Sequence, residues 1–434
     1  MKVFLLIFAL FFVFLISCED DSSTGPDVNA AKVSVDSAKA ALEDVMNDLL
    51  NNEISQPADI NFEKPYNLFN QAYKQDPDNP DANFGLAIMN LLMITQSPEL
   101  AEVFNEWQSL FISDAGFNKS SVAQSLFKTQ ASDLNLKLSN FVNGLINLPK
   151  AAADDLPKIS NIQELIESII LPRLDFAATA LDKVDDHPDY TFMVSPRMQG
   201  KIDADSLEID LTEIYALESI INVLRAQANM TIAYNLDFWG FDSLQAVSAF
   251  SKGGSVLKLR NGAAPMQTAK SALLAGIDKL QFGVLFLLSE TDPQENDLIK
   301  LNNDTPGNFG SAASQLFSIK SMLTQPAEYT DDWDNDPDTP DETITVNFSK
   351  IFDNPANDLK ALIPDYSVLV QPVMAQNQSA TFKVYIPLII WNANSFSEWI
   401  LPDPTFNGFL PGMTDSEFKR IFGITADDWQ KVPQ

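Results

Sequence analysis

Apolar residues recur every three or four positions along most of the chain, which is the spacing of one helix face. The pattern is clearest in four segments, each of which places one apolar stripe along a helix: 35–49, 134–148, 211–232 and 273–287. Weaker patterns of the same period predict further helices at 97–112, 119–147, 161–184, 310–326 and 355–362. The sequence therefore predicts a mainly α-helical fold.

Strand patterns are few and short. Residues 190–195 and 207–211 predict a small hairpin or arm; the alternative assigns 207–211 to the long helix that follows. Residues 343–348 alternate between apolar and polar, as a half-buried strand does. Residues 381–391 form the strongest strand pattern, because they are rich in β-branched and aromatic side chains. An acidic, proline-rich stretch at 329–342 separates the helical part from the C-terminal part.

The first residues combine the features of a secretion signal. Lys2 precedes an unbroken apolar run at 3–16, which is shorter than the ~20 residues of a membrane-spanning helix. Residues 15–18 (Leu-Ile-Ser-Cys) resemble the lipobox of bacterial lipoproteins. This resemblance implies that Cys18 is diacylated, that cleavage occurs just before it, and that its new amine is acylated with a fatty acid such as palmitate. The alternative is an ordinary signal peptide with an incidental cysteine.

The residues after Cys18 predict an acidic, flexible tether. The stretch 18–30 is polar and is punctuated by Gly25 and Pro26. By resemblance to lipoprotein sorting patterns, Glu19 directly after the cysteine favours the outer membrane, on either its periplasmic or its external face. Cys18 is also the only cysteine, so no intramolecular disulfide can form and stability rests on packing.

These patterns predict five parts from the N-terminus to the C-terminus: a signal peptide at 1–17, the tether at 18–30, a helical domain at 31–328, an acidic linker at 329–342, and a mixed region rich in proline and aromatic residues at 343–434. The formal net charge of −31 argues against direct binding to nucleic acid or to anionic lipid headgroups. We therefore expect membrane attachment only through the lipid on Cys18.

Residues 62–94 resemble the tetratricopeptide-repeat family. Five positions match the pattern of one helix pair and its closing proline: Phe69, Ala72, Pro77, Leu86 and Ala87. Pro65 and Asn90 depart from the residues that the repeat prefers. The resemblance covers about one repeat and implies a helical-hairpin array, and such arrays hold peptides or partner proteins on extended surfaces. The many prolines after residue 342 predict a smaller, loop-rich C-terminal part with a few short strands.

No constellation of residues predicts catalysis. His187 is the only histidine, so a serine–histidine–aspartate triad would require this residue, which lies in a turn-like segment beside Pro188. The sequence favours a solvated loop histidine. Zinc sites built from cysteine and histidine are excluded by count. We therefore predict no catalytic residues and no cofactor, with calcium as the one exception.

The most specific polar pattern is an acidic run near residue 338. Asp334, Asp336, Asp338 and Glu342 have a spacing that resembles extracellular calcium loops, in which hard Ca²⁺ takes several carboxylate oxygens. Thr339 replaces the glycine that makes the sharp turn in those loops. The alternative interpretation is an acidic, solvated linker.

Two functions fit these features. The first is a lipid-anchored envelope protein that acts as a binding or scaffold module for protein or peptide partners. The second is a glycan-binding outer-membrane lipoprotein, because residues 224–226 (Leu-Arg-Ala) on a long helix and the aromatic residues after them resemble the SusD-like family. An enzyme is a third class, and it would require a pocket with convergent carboxylates of different pKa.

Overall fold

The computed structural model describes residues 26–51, 60–103, 158–199, 205–237, 253–290, 296–300, 305–331, 340–362 and 401–422, together with residues 249 and 294. The predicted signal peptide, Cys18 and most of the tether lie outside these ranges. So do the apolar stripe at 134–148, the strand predicted at 381–391, and three of the four predicted calcium ligands, which are Asp334, Asp336 and Asp338.

The protein is mainly helical, as the periodicity predicts. The helices are α1 (Val28–Asn51), α2 (Glu63–Gln75), α3 (Pro80–Ile94), α4 (Ile159–Leu165), α5 (Leu171–Val184), α6 (Leu211–Ala233), α7 (Ala264–Ser289), α8 (Thr305–Thr324), α9 (Ser349–Asp353) and α10 (Asp415–Phe422), with one π-helical turn (Ile166–Ile170) joining α4 to α5 and one 3-10 turn (Leu359–Leu362) after α9. Pro265 lies in the first turn of α7, where its missing N–H costs nothing.

The prediction of a helix at 355–362 is wrong for most of these residues. Only Leu359–Leu362 forms a 3-10 turn, and α9 ends earlier, at Asp353. The reason is tertiary pairing, because the Leu259 N–H donates to the Asn357 carbonyl and the Leu359 N–H donates to the Leu257 carbonyl. These backbone groups are therefore used between segments rather than within a helix.

Each helix packs chiefly against its neighbours in the chain. α1 packs on α2, α2 on α3, α3 on α5, α5 on α6, α6 on α7, and α7 on α8 and α9. The most extensive of these contacts joins α6 to α7. One apolar core lies between α3, α5, α6 and the first strand, and another lies between α6, α7 and α9.

Small residues allow α6 and α7 to approach closely. A Cβ atom added at Gly283 would lie 3.1 Å from the Tyr215 Cβ, and one at Gly276 would lie 3.2 Å from the Asn222 Cβ. α7 is long and apolar enough to cross a membrane by length and composition. Its middle, however, carries Asp278 and Lys279, and both form ion pairs with other helices.

The α2–α3 pair brings the five repeat-like positions into packed surroundings or into the turn. Phe69, Ala72, Leu86 and Ala87 are at most 1 % exposed, and Pro77 lies in the turn between the helices. Asn79 caps α3 by accepting a hydrogen bond from the Ala82 N–H at 2.9 Å. The buried Asn90 donates to the Leu86 carbonyl, which satisfies its amide inside the core.

The start of α1 is attached to the end of α2. The Asp27 N–H donates to the Gln75 carbonyl at 2.9 Å, and the Ser34 hydroxyl donates to the Gln75 side chain at 2.8 Å. Further along α1, the Lys39 ammonium pairs with Asp81 at the start of α3 at 2.8 Å. The first helix is therefore fixed to the turn between α2 and α3.

Two short hairpins complete the described fold. β1 (Phe192–Val194) pairs with β2 (Leu207–Ile209) in an antiparallel arrangement, which confirms the hairpin predicted from the sequence. β3 (Ala327–Asp331) pairs with β4 (Glu342–Val346), so the strand predicted at 343–348 is confirmed over 343–346, and its partner strand was not predicted. The acidic segment 329–342 begins in one of these strands and ends in the other.

The C-terminal part packs on β4. The Asn347 N–H donates to the Phe409 carbonyl at 2.7 Å, and Arg420 of α10 pairs with Glu342 at 2.7 Å. Four aromatic residues of this region lie partly buried against a small apolar core: Phe348, Phe406, Phe409 and Phe418. Thr414 and Glu417 form a capping box at the start of α10, since each side chain accepts from the backbone N–H of the other residue.

The contact between α2 and α3 generates a stability prediction. Gly85→Ala should lower the free energy of unfolding by about 1–3 kcal/mol, because a Cβ atom at this position would lie 2.1 Å from a ring atom of the buried Phe69. Chemical denaturation measures the change. In the double variant Gly85→Ala/Phe69→Leu the two losses should partly cancel. A stabilisation by Gly85→Ala alone, as an open helix position would give, would contradict the close contact.

Candidate functional site

A cleft lies where α1, the start of α3 and the turn after α5 meet. Its volume is about 530 Å³, which is within the range of small-ligand sites. We call it the His187 cleft, because it contains the only histidine of the chain. Its lining comes from Val28, Lys32, Val35, Asp36, Asn79, Pro80, Asp81, Asp186, His187, Pro188, Asp189, Tyr190 and Thr191.

The two turns that border the cleft are held together by hydrogen bonds. The Lys183 ammonium donates to the Pro77 carbonyl at 2.9 Å and pairs with Asp78 at 3.3 Å. A ring nitrogen of His187 lies 3.3 Å from the Asp78 carbonyl oxygen. The sequence predicts His187 as a solvated loop residue; the structure confirms the turn but places the side chain half-buried in the cleft wall.

Tyr190 forms the most buried polar part of the cleft. Its side chain packs edge-on against Phe84, the residue is 6 % exposed, and its buried hydroxyl interacts with the Asp81 carboxylate. Burial, together with the neighbouring Asp81 carboxylate, raises the pKa of Tyr190 well above its usual value. The phenol is therefore neutral, and its hydroxyl retains both donor and acceptor capacity.

The charge of the cleft is predominantly negative. Four aspartates and one lysine line it, and Lys39 neutralises one of the aspartates by pairing with Asp81. Asp36, Asp186 and Asp189 are solvent-exposed, and no described residue forms an ion pair with them. The cleft therefore carries an excess of negative charge around a buried neutral hydroxyl.

A second cluster of charges lies inside the helical body. The Lys279 ammonium of α7 donates to Asp182 at 2.6 Å, to Glu218 at 2.8 Å, and to Asp185. Glu218 is buried on α6 with a side chain that is 1 % exposed, whereas Asp182 reaches solvent. We call these four residues the Lys279 cluster; it joins α5, α6 and α7.

Burial and mutual repulsion control protonation in the Lys279 cluster. Burial, followed by the negative charge of Asp185, raises the pKa of Glu218 to about 9. Burial also raises the pKa of Asp185. Burial opposes the charged form of Lys279, but its hydrogen bonds to the three carboxylates outweigh that effect and raise its pKa above the usual value. Near neutral pH the cluster therefore holds a proton on its carboxylates as well as the ammonium.

The acidic groups of the Lys279 cluster could also hold a metal ion by their spacing, since one oxygen of each lies within 4.8 Å of the others. Lys279 already makes hydrogen bonds to all three carboxylates, so an ammonium takes the place that a cation would take. Glu218 Oε2 and Asp185 Oδ1 have no partner among the described residues, which fits a proton held between these two carboxyl groups.

Most of the residues predicted for lipidation and for calcium lie in parts of the chain that the structure does not describe. Cys18 and three of the calcium candidates lie outside the described residues, and the fourth, Glu342, pairs with Arg420. Calcium binding stays a prediction. All six tryptophans also lie outside the described residues, so the glycan-binding alternative is likewise untested.

The sequence contains a signal for the Lys279 cluster, namely a charged residue on the apolar face of α6 and another on the face of α7 that packs against it. Glu218 lies four residues after Ile214 and three before Ile221, on the buried face of α6. Lys279 lies three residues after Gly276 and four before Gly283, on the face of α7 that meets α6. One acid and one base on two buried helix faces predict a buried ion pair, although the sequence cannot show that the two faces meet.

The raised pKa of Glu218 predicts pH-dependent stability. Between its ordinary value of 4.5 and about 9 the folded protein holds a proton that the unfolded chain lacks. Raising the pH through this window therefore destabilises the fold, by up to about 1.4 kcal/mol per pH unit for one proton. Glu218→Gln removes this titration and keeps an oxygen for Lys279. At pH 9 its thermal midpoint should exceed that of the parent by roughly 3–8 °C.

The control for this experiment is Glu164→Gln, which neutralises an exposed acid on α4. Burial also raises the pKa of Glu213, to about 7, so the stability of the parent and of both variants depends on pH through this residue. The effect of Glu218 is therefore the difference in pH dependence between Glu218→Gln and the parent. Melts at pH 5 and pH 9 measure it. Equal pH dependence in Glu218→Gln and in the parent would show that Glu218 is ionised in the folded state.

Comparisons of this chain with protein-family models, with curated proteins and with solved structures find no match. A function has therefore to be inferred from the sequence signals and from the chemistry of the cleft and the cluster. The His187 cleft is open to a ligand, whereas the Lys279 cluster is filled by its own ammonium.

Proposed function

We propose that this protein is a lipid-anchored protein of a bacterial envelope, and that it binds a segment of a partner protein or peptide in the His187 cleft. The main support for a binding function is the cleft itself, because three separated parts of the chain form it: α1, the start of α3 and the turn after α5. It combines a volume of about 530 Å³ with the exposed carboxylates of Asp36, Asp186 and Asp189 in its lining. Convergence of a few polar groups in a concave site is typical of ligand binding.

The anchor is supported by the sequence. A short apolar run ends in the only cysteine of the chain, and an acidic, glycine- and proline-containing stretch follows it. Several acyl chains give stable membrane attachment, whereas a single chain gives only reversible binding. The acidic body is then expected to project from the membrane, since negative charge disfavours contact with anionic headgroups.

The helical arrangement supports a binding module more than an enzyme. Helices that pack mainly on their neighbours in the chain, as α1 to α3 and α5 to α7 do, generate extended surfaces. The tetratricopeptide-like arrangement that we propose for α2 and α3 rests on the buried Phe69, Ala72, Leu86 and Ala87. The convergent carboxylates that an enzyme would require occur in the Lys279 cluster, whose residues do not line the cleft and already bind the Lys279 ammonium.

The anchor is tested by Cys18→Ser, which removes the sulfur that would be acylated. We expect the variant to move from the membrane fraction to the soluble fraction and to lack the mass of the acyl chains. Fractionation in detergent and mass spectrometry of the intact protein measure the two effects. If the variant keeps the membrane association and the mass of the parent, the lipid anchor is refuted.

Binding in the cleft is tested by photocrosslinking in intact cells. Asp189→p-benzoylphenylalanine places a photoreactive group at the cleft rim, and Asp48→p-benzoylphenylalanine places the same group on an exposed position of α1 outside the cleft lining. We expect a discrete adduct of higher mass from position 189 and none from position 48. Identical patterns from both positions, or no adduct from either, would refute the cleft as the binding site.

A further inference from the structure

We propose that α6 and α7 together form a docking face for an amphipathic helix, and that residues 134–148 of this chain occupy it. The exposed members of this surface, which we call the α6–α7 face, are Ile220, Val223, Leu224, Leu280 and Leu288. Three observations support the proposal, and none of them involves the His187 cleft. They are the position of these side chains on the helix pair, the absence of charge among them, and the place where residues 104–157 rejoin the described fold.

The two helices of the face run antiparallel. Gly276 of α7 faces Ser219 of α6. Seven residues later in α7, Gly283 faces Thr212, which lies seven residues earlier in α6. In an antiparallel pair, residues that are rotated in the same sense away from the line of contact lie on the same side of the pair.

The Lys279 cluster lies on one side of this contact, and the exposed apolar residues lie on the other. Glu218 and Lys279 meet at 2.8 Å, so both are rotated in the same sense from the line of contact. One residue turns an α-helix by about 100°. Ile220 comes two residues after Glu218 and Leu280 comes one residue after Lys279, so both lie across the line of contact. The same rotation places three further residues on that side: Val223, Leu224 and Leu288.

The α6–α7 face is apolar and carries no charge. Ile220 is 58 % exposed and Leu288 is 46 % exposed. Every charged residue of the two helices already has a partner on another element: Glu213, Glu218, Arg225, Lys270, Asp278 and Lys279. Single exposed apolar residues are normal on a protein surface, whereas a contiguous group of them indicates a contact surface.

Residues 134–148 have the complementary pattern. Their apolar positions form one helical stripe: Leu134, Leu138, Phe141, Leu145 and Leu148. A helix of this length extends about 22 Å at 1.5 Å per residue. Because Ser219 lies opposite Gly276, Leu224 lies at the level of residue 271, and the face from there to Leu288 extends about 26 Å. The stripe therefore matches the face both in length and in apolar character.

The chain outside the described residues rejoins the fold beside this face. Residues 104–157 lead into α4, and the Gln163 amide of α4 donates to the Thr231 and Tyr234 carbonyls at the end of α6, at 2.6 and 2.7 Å. Leu224 lies about 10 Å from Thr231 along α6. Residues 149–157 can span up to about 30 Å when extended. They are therefore long enough for residues 134–148 to reach the face.

Charge favours this segment over a second copy of the chain and over a membrane. Residues 115–153 contain four lysines and one aspartate, a net charge of +3, whereas the whole chain carries −31. Two copies of so acidic a chain repel each other, as do the chain and an anionic bilayer. Helices that lie in a membrane interface also carry free basic residues on their polar face. The basic residues of α6 and α7 are all paired within the fold.

The first test is photocrosslinking of the full chain in intact cells. Ile220→p-benzoylphenylalanine places a photoreactive group on the α6–α7 face, and Thr179→p-benzoylphenylalanine places the same group on an exposed position of α5 as the control. After irradiation the protein is purified, digested with trypsin and measured by mass spectrometry. We expect position 220 to crosslink within the same chain to peptide 129–137 or 138–150, and position 179 to crosslink to neither.

Every other crosslinking result overturns the proposal. A covalent dimer would identify a second copy as the occupant, an adduct with another protein would identify a partner, and an adduct with lipid would identify the membrane. A link to a different peptide of the same chain would assign the face to another segment. No adduct, or the same peptides from positions 220 and 179, would show that residues 134–148 do not bind the face.

A thermal melt gives an independent measurement of the same contact. Ile220→Asp should lower the thermal midpoint by about 3 °C or more, because it places a carboxylate in an apolar contact. The matched control is Val33→Asp, which changes a 65 % exposed valine of α1 and should shift the midpoint by about 1 °C or less. Phe141→Asp should also lower the midpoint, and the double variant Ile220→Asp/Phe141→Asp should lose less than the sum, since both residues belong to one contact. Equal midpoints for Ile220→Asp and Val33→Asp, or strictly additive losses, would contradict the docking of residues 134–148.

Discussion

One ammonium group fixes the relative position of three consecutive helices. Lys279 of α7 reaches Glu218 on α6 and two aspartates at the end of α5, and removing it would leave buried carboxyl groups without a counter-charge. Such a loss typically costs about 3–5 kcal/mol, more than most surface contacts supply. The glycines of α7 are part of the same arrangement, because they bring α7 close enough to α6 for Lys279 to reach Glu218.

The His187 cleft exists because the turn after α5 is held at a fixed place beside the turn before α3. Lys183 and His187 bind the backbone between α2 and α3, and Lys39 binds the first turn of α3 from the opposite side. The Lys279 cluster includes Asp185, which caps the end of α5 two residues before His187. The Lys279 cluster therefore also helps to position the turn after α5, whose residues Asp186 and His187 line the cleft.

Periodicity predicted the helices well because burial acts on one face of each element. The boundaries of α6, the hairpin of β1 and β2, and the capping box at Thr414 all follow from local residues. β3 was missed because it carries little apolar alternation and is specified by its pairing with β4. The positions of the cleft and of the Lys279 cluster could not be predicted, since both depend on residues far apart in the chain.

The attachment of α1 to the end of α2 has a mechanical consequence for a tethered protein. If Cys18 carries the lipid anchor that we propose, tension would enter the fold at the first residues of α1, where Asp27 and Ser34 are hydrogen-bonded to Gln75. These bonds pass the force directly to the turn between α2 and α3, which borders the cleft. A partner pulled away from the membrane would then load α1 and this turn, while the helices from α6 onward would carry little of the strain.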